Sequence, residues 1–259
     1  MKGIKILLGV ILCWPHLALA QAFLNTTSDQ ILKRGNMSAT LKSSFLKNTI
    51  APDYIHSADH VIYGPSAYLT LGLGPGSEFE IDWDMMRFIK VHQGKSTADV
   101  SDISFFTKIR LLEENIFPSF SIRVGAKLPN ASNETYAGTD KTDIFMYSIF
   151  GKQFEKLHLF TNLGLELLGH PDNLHGQNDV FGYGVACSYA LRDQWIGSFE
   201  FWGRRDTHWD SPLNQALLKE GISFIENSWK LEIGMSQGLI SQSESFGVTG
   251  AITKTFSIL

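Results

Sequence analysis

The sequence predicts an all-β chain that closes into an up-and-down antiparallel transmembrane β-barrel of about twelve strands. Three observations predict it: period-two alternation of apolar and polar residues from about residue 36 onward, a regular change between short and long connections, and aromatic residues near the ends of the apolar faces. No run after residue 20 approaches the ~20 apolar residues that a spanning helix needs. Any membrane crossing is therefore expected to use strands.

The first twenty residues predict a cleaved secretory signal. Lys2 and Lys5 precede an apolar run, and Ala18-Leu19-Ala20 has the small-x-small pattern of a cleavage site. We therefore expect export to the cell outer membrane. Residues 21–35 carry no strand pattern and are expected either to hang in the periplasm or to enter the lumen as a plug. The barrel is expected to cover residues 36–259.

The charge composition limits the classes of binding partner to expect. The chain has 22 Lys and Arg against 26 Asp and Glu, a net charge of −4, and no basic cluster. Nucleic-acid binding depends on concentrated positive charge, so no nucleic-acid partner is expected. The expected partners are the lipid bilayer of the outer membrane, the machinery that assembles outer-membrane barrels, and a small-molecule solute.

The predicted strands are close to the roughly 9–11 residues that a tilted strand needs to cross a bilayer. Short connections such as Pro75-Gly76 alternate with longer polar ones such as 47–65 and 91–102. An even strand count then places both ends of the barrel on the short-turn, periplasmic side. The predicted strands are 36–46, 66–74, 77–88, 103–112, 119–128, 143–152, 157–167, 180–191, 195–204, 216–225, 228–236 and 246–256.

The clearest alternation lies in residues 77–85. Glu78, Glu80, Asp82 and Asp84 share one face of this strand, while large apolar side chains occupy the other. Four carboxylates in a row are too costly to desolvate in a dry core. This face is expected to meet water, counter-ions or both.

Alternation alone does not decide which face of a barrel points inward. A soluble barrel with charged faces outside would show the same pattern. Aromatic residues at two levels favour the membrane, because barrels carry aromatic girdles at both interfaces. The girdle predicted at the short turns comprises Phe79, Phe120, Trp195, Trp229 and Phe256, and that at the long loops Phe105, Phe145, Phe181 and Phe246.

With the charged faces inward, basic and acidic ladders line neighbouring strands of the lumen. Two interpretations stay open: ion pairs that hold the wall rigid, or a transverse field that contacts and selects solutes. Small residues such as Gly182 and Gly184 are expected to leave space on one wall. The candidate lumen and selectivity residues are Glu78, Glu80, Asp82, Asp84, Lys108, Arg110, Arg123, Lys127, Glu166, Glu200 and Arg204.

Signals for enzymatic chemistry are weak. No Gly-x-Ser-x-Gly is present, and the glycine-rich run at 71–77 leads into a strand, so it lacks the helix amides of a phosphate loop. His170 and His175 lie in a polar loop where a hydrolase or metal site is conceivable, but loop histidines are usually solvated. No catalytic residue, cofactor or metal is predicted.

From residue 119 to about 256 the chain resembles the outer-membrane barrel family assigned to the MetA pathway of phenol degradation. The resemblance lies in Arg123-Val-Gly-Ala-Lys-Leu-Pro129, Gly138-Thr-Asp-Lys-Thr-Asp143, Leu157-His-Leu-Phe-Thr-Asn-Leu-Gly164 and Phe246-Gly-Val-Thr-Gly250. It implies a barrel that passes small, often aromatic or hydrophobic compounds. Such barrels usually end on an aromatic residue, whereas three residues follow Phe256 here.

We therefore expect a channel for passive uptake of small organic solutes. The first alternative is a plugged barrel with a structural or surface-interaction role. The second is an outer-membrane hydrolase.

Overall fold

The computed structural model describes residues 22–170 and 176–258, which contain fourteen β-strands in one antiparallel sheet. Expectations about the signal and His175 fall outside these ranges. Within them, no helix has the length and apolar character required to span a membrane. The strands are β1 (Asn36–Ile50), β2 (Ser57–Gly74), β3 (Ser77–Asp84), β4 (Arg87–Val91), β5 (Ser96–Asp99), β6 (Ile103–Leu112), β7 (Ser119–Leu128), β8 (Asp143–Phe154), β9 (Leu157–Gly169), β10 (Gln177–Arg192), β11 (Trp195–Asp206), β12 (Gln215–Glu226), β13 (Trp229–Gly238) and β14 (Phe246–Ser257).

Twelve of these strands close a barrel. The first and last strands, β1 and β14, pair antiparallel from Asn36↔Ser257 to Lys47↔Phe246, and β1 pairs with β2 on its other side. Closure leaves no unpaired strand edge in the wall, which is the condition for strands to cross hydrocarbon. The predicted fold class is confirmed.

The short turns carry the expected chemistry. Between β2 and β3, Pro75 is followed by Gly76, whose φ is +82°. This is the arrangement of a type II turn, in which proline presets the first central residue and glycine accepts the positive φ of the second. The turn reverses the chain in two residues and brings Glu78 opposite Gly72.

The first two strands are longer than predicted. β1 continues to Ile50 and β2 begins at Ser57, so the loop expected at 47–65 shrinks to residues 51–56. The prediction was wrong here because polar residues in this stretch, such as Asn48 and His60, obscure the apolar alternation. With 15 and 18 residues, β1 and β2 are among the longest strands of the wall.

The third predicted strand was also too long. β3 ends at Asp84, and β4 instead pairs with the outer half of β2, as in Val61↔Ile89. β5 pairs with β4, so the loop expected at 91–102 contains half of a small hairpin. This hairpin lies beside the barrel wall and not within the ring of twelve strands.

A small apolar core stabilises the long-loop end. It lies among the β2 extension, the β4–β5 hairpin and the loop between β7 and β8. Arg87 Nη1 donates to the Ala137 carbonyl at 2.6 Å, and Thr97 Oγ1 donates to the Thr135 carbonyl at 2.7 Å. The buried members are Ala51, Ala58, Val61, Ile89, Val91, Ala131 and Ala137.

Charged side chains point inward and apolar ones outward. Val185 and Ile233 are 56% and 55% exposed on the outer surface, whereas Glu200 and Lys230 in the lumen are 0% and 1% exposed. An apolar outer wall around a charged interior suits hydrocarbon and not water. The distribution of exposed and buried side chains therefore shows which face points inward, which alternation alone did not.

One residue of the predicted girdles is misplaced. Phe145 points inward, lies 5.6 Å from the Phe106 ring and packs against a buried cluster formed by Leu168, Val180 and Leu213. Its neighbours Ile144 and Met146, on the other face of the strand, are exposed. The outer part of the lumen is therefore partly apolar.

Candidate functional site in the barrel lumen

The carboxylate row of β3 is held by bases on β6 and β7. Glu78 lies directly opposite Lys108, and their ion pair measures 2.6 Å. Arg123 Nη2 lies 2.6 Å from Glu80 and 3.6 Å from Asp82. Both Glu78 and Lys108 are almost completely buried, so this pair stabilises the wall and exposes little surface to the lumen.

The remaining ladder residues have partners that sequence reasoning missed. Asp84 binds Arg87 of β4 at 2.8 Å. Lys127 Nζ lies 3.1 Å from Asp102 and 2.7 Å from Asp143. These partners lie at strand ends or in a loop, where the period-two pattern is interrupted and their direction was not predictable.

The opposite wall contains a second polar group. Glu166 accepts a hydrogen bond from the Tyr147 hydroxyl at 2.5 Å and lies 3.9 Å from Arg204. Arg204 also donates through Nε to the Leu213 carbonyl at 2.9 Å. Tyr54, in the loop after β1, stacks against the Arg204 guanidinium, whose Cζ lies 5.0 Å from the centre of the Tyr54 ring.

The N-terminal segment, residues 22–35, lies inside the barrel. Glu200 accepts backbone N–H bonds from Asn25 at 3.0 Å and from Thr26. The Leu32 N–H donates to Glu78 at 2.5 Å. On this segment, carboxylates of the wall thus satisfy backbone groups that have no sheet partner.

Bases of β6 bind the same segment. Lys108 Nζ donates to the Ser28 carbonyl at 3.0 Å and to the Gln30 carbonyl at 2.8 Å. Arg110 Nη2 donates to the Asp29 carbonyl at 2.9 Å. Arg110, expected in a charge ladder, is thus a contact of the N-terminal segment.

Asp29 is the most extensively bonded side chain of the segment. Its carboxylate accepts from Ser119 Oγ at 2.5 Å and lies 2.8 Å from His158 Nε2. Burial alone would raise the pKa of Asp29, but the hydrogen bonds from His158 and Ser119 hold it below its ordinary value of 3.8. The imidazole binds the carboxylate and not the hydroxyl, which is not the order a serine nucleophile needs.

Glycines of the wall make room for the segment. A Cβ on Gly184 would lie 2.1 Å from Thr26 Oγ1, and one on Gly151 would lie 2.0 Å from an Asp29 carboxylate atom. Both distances are far below van der Waals contact. The space expected beside Gly184 is therefore used by the chain itself.

Two cavities remain in the lumen beside the segment. The outer cavity, toward the long loops, measures about 270 Å³, and the inner cavity, toward the short turns, about 300 Å³. Both are lined by Asn25, Lys42, Tyr68 and Trp202, which we call the junction. Lys42 Nζ lies 4.3 Å from the centre of the Tyr68 ring.

The junction was not found by sequence reasoning. Lys42 follows Ser38 and Thr40 on one face of β1, so its inward direction was available from the pattern. The inward direction of Trp202 was available as well, because period two places it on the face of Glu200 and Arg204. In the described ranges, no group of three or more His, Cys, Asp or Glu is arranged to hold a metal ion.

The fold defines the architecture class of outer-membrane β-barrels. The chain is similar to the COG4313 outer membrane channel from Pseudomonas putida F1, with a TM-score of 0.65 and 10% identity over 87% of this chain and 97% of that one. It is also similar to the NanC porin (TM-score 0.56, 8% identity, 85% and 100% covered) and the KdgM porin (0.52, 9%, 85% and 99%).

These similarities extend to the fold and not to the sequence. No protein-family profile matches the chain, and no curated protein is similar to it in sequence. The expected type of barrel is thus found among solved channels, while the phenol-degradation family is not confirmed.

Proposed function

We propose that this protein is an outer-membrane channel for passive passage of small organic solutes, narrowed by its own N-terminal segment. The observation that carries the proposal is the pair of cavities that lie beside residues 22–35 and share the junction residues. The fold similarity to channels and porins supports the proposal.

Membrane placement belongs to the same proposal. The outer wall carries apolar side chains such as Leu163, Val185 and Ile233 in the middle of its strands. Trp195 and Trp229 lie at the short turns, where interfacial aromatics are found in barrels. Export through the predicted signal and insertion by the assembly machinery would bring the barrel to this bilayer.

The solute is small. Each cavity is near the ~300 Å³ lower end of ordinary small-molecule sites. The lining combines charges with the rings of Tyr68, Tyr147 and Trp202. The resemblance to the phenol-degradation family, which includes Arg123 and Lys127, adds the proposal that aromatic or hydrophobic compounds pass.

No chemistry is proposed for the lumen, and no cofactor. The eleven candidate residues are proposed to shape the path and its field. Most do so indirectly, because Glu78, Lys108 and Arg123 are already used in ion pairs. Asp82 is the most accessible carboxylate of its row, at 29% side-chain exposure, and is the best placed to meet solute.

Planar-bilayer recording of the purified protein tests the proposal. The full chain is expected to show small, stable conductance steps. Deletion of residues 22–35 should enlarge the steps several-fold, because the segment occupies much of the lumen. A full chain without conductance would reject an open channel.

The leading alternative is a plugged barrel with a structural or surface-interaction role. The observation that favours it is the number of wall groups bound to the segment, including Glu200, Lys108 and Arg110. It predicts no conductance from the full chain and clear conductance after the same deletion. The two proposals therefore differ in the full chain, and the deletion variant shows that the barrel itself has folded.

A further inference from the structure

Two lysines of the outer cavity differ from the other lysines described in the lumen. Lys42 of β1 and Lys219 of β12 both line this cavity. Within the described ranges, neither forms an ion pair with a carboxylate, whereas Lys108 is 2.6 Å from Glu78 and Lys127 is 2.7 Å from Asp143. Two ammonium charges are thus left without a counter-charge in contact.

The nearest carboxylate row does not neutralise Lys42. Lys42 is registered with Ser66, which is registered in turn with Asp84. Asp84 is already bound by Arg87 at 2.8 Å. The Lys42 ammonium lies instead over the Tyr68 ring, 4.3 Å from its centre, which offsets part of its desolvation and leaves its charge in place.

Lys219 is held by neutral acceptors of the N-terminal segment. Its Nζ donates to Asn25 Oδ1 at 2.7 Å and to the Phe23 carbonyl at 3.3 Å. These bonds fix the position of the ammonium without cancelling its charge. The segment therefore places a cation at the edge of the outer cavity.

The two cavities differ in their charge. The outer cavity is lined by Lys42, Lys219 and Arg204 against Asp84 and Glu244. Asp84 and Arg204 each have a partner outside the lining, Arg87 and Glu166, which leaves the two lysines against Glu244. The three carboxylates of the inner cavity face Lys42 and two bases already engaged with them. Positive potential is thus concentrated in the outer cavity and at the junction.

Aromatic rings lie beside the same charges. Tyr68 and Trp202 belong to the junction, and Tyr54 and Tyr63 line the outer cavity. Flat rings provide apolar contact area for a planar group, while an ammonium attracts a carboxylate in a partly dehydrated site. The site thus combines an ammonium for a carboxylate with flat rings for the aromatic part of the same molecule.

We propose that the outer cavity is a binding site for small aromatic carboxylates, with Lys42 and Lys219 as partners of the carboxylate and the junction rings in contact with the planar group. This rests on the proposed function, since it names the solute class of the channel. A cavity of about 270 Å³ admits a single-ring acid and excludes large oligomers. Positive potential at the outer mouth also raises the local concentration of anions.

Isothermal titration of the purified, detergent-solubilised full chain tests the site without needing an open pore. Benzoate is the probe, and benzyl alcohol is its neutral match with the same ring. Benzoate should bind at least ten-fold more tightly than benzyl alcohol. Lys42→Gln with Lys219→Gln should weaken benzoate binding at least ten-fold, and Lys42→Gln alone should weaken it less.

Lys90→Gln is the matched control, because Lys90 lies on β4 away from both cavities and donates only to the nearby Gly94 carbonyl among its described contacts. It should bind benzoate as the unmodified chain does. A heat-dependent shift in electrophoretic mobility confirms that each variant is folded. Equal binding of benzoate and benzyl alcohol, or undiminished binding by the folded double variant, would overturn the proposal.

The outcome is separable from that of the channel proposal. Benzoate binding by a barrel without conductance keeps the site and rejects the channel. Conductance without benzoate binding keeps the channel and rejects the site.

Discussion

At the scale of single residues, the charged side chains of the lumen differ in how completely an opposite charge neutralises them. Glu78 and Lys108, whose side chains are 4% and 2% exposed, neutralise each other, and both also bind the N-terminal segment. Asp82 is bound only at 3.6 Å and stays partly exposed. The fully paired residues stabilise the wall, and the partly exposed ones are those proposed to contact solute.

The Glu78–Lys108 pair gives a stability prediction. Glu78→Gln should lower the free energy of unfolding by about 3 kcal/mol, because it leaves a buried ammonium without its counter-charge. Glu114→Gln is the matched control, since its pair with Lys152 is exposed and worth less than about 1 kcal/mol. Urea unfolding in lipid vesicles measures both. Equal losses in the free energy of unfolding would show that burial does not determine how much an ion pair contributes to stability.

Asp29 gives a pH prediction. The lowered pKa means that its bonds stabilise the bound segment above its ordinary pKa of 3.8, and that this contribution is lost as pH falls through the lowered value. Conductance steps should therefore grow, or become unstable, on acidification below 3.8. Asp29→Asn should show no such transition, because it has no carboxylate to protonate.

Bilayer recordings between neutral and acidic pH measure this effect. Asp193→Asn, in the exposed turn between β10 and β11, is the matched control and should behave as the unmodified chain. An acid transition that persists unchanged in Asp29→Asn would assign it to another group.

At the scale of elements, the N-terminal segment is the feature on which the two proposed functions, an open channel and a plugged barrel, differ. It has no regular secondary structure, and its backbone is bound by side chains of β3, β6 and β11. Backbone groups in a lumen need such partners when no strand is available. Its fixed position follows from these bonds and from the glycines it packs against.

A disulfide tests whether the segment must move for conduction. A Cβ on Gly184 would lie 3.2 Å from Thr26 Cβ, a few tenths of an ångström from the range of ordinary disulfides. Thr26→Cys with Gly184→Cys, in a Cys187→Ser background, should therefore crosslink on oxidation. We expect unchanged conductance, because the cavities lie beside the segment and not beneath it.

The matched control is Thr26→Cys in the same background, which has no partner to bridge. Conductance that disappears on oxidation and returns on reduction would show that solute passes only when the segment leaves. That result would favour the plugged barrel.

At the scale of the whole molecule, the barrel presents an apolar belt to its surroundings. Val185→Arg, in the middle of β10, should destabilise the bilayer-inserted state by about 2–4 kcal/mol, since it places a charge at hydrocarbon depth. Ile116→Arg, at a 90% exposed position of the turn between β6 and β7, should cost far less. Folding yields in lipid vesicles, read by electrophoretic mobility, measure both. Equal losses in stability for the two variants would show that Val185 does not lie in the apolar belt.

The sequence by itself determined the number of strands in the barrel, the positions of the short turns and the sorting of most side chains into two faces. These properties are local: a period of two follows from strand geometry, and Pro75-Gly76 specifies its own turn. The carboxylates of β3 and the bases of β6 and β7 were predictable as neighbours for the same reason.

Only the tertiary structure decided which face points inward, that residues 22–35 enter the lumen, and that Lys42, Tyr68 and Trp202 meet there. Each depends on contacts between residues far apart in the chain, such as Asn25 with Glu200 or Lys219. Alternation is unchanged when a barrel is turned inside out, and a segment without periodicity has no pattern to place it. Closure of the wall creates the enclosed space, and long-range hydrogen bonds hold the N-terminal segment within it.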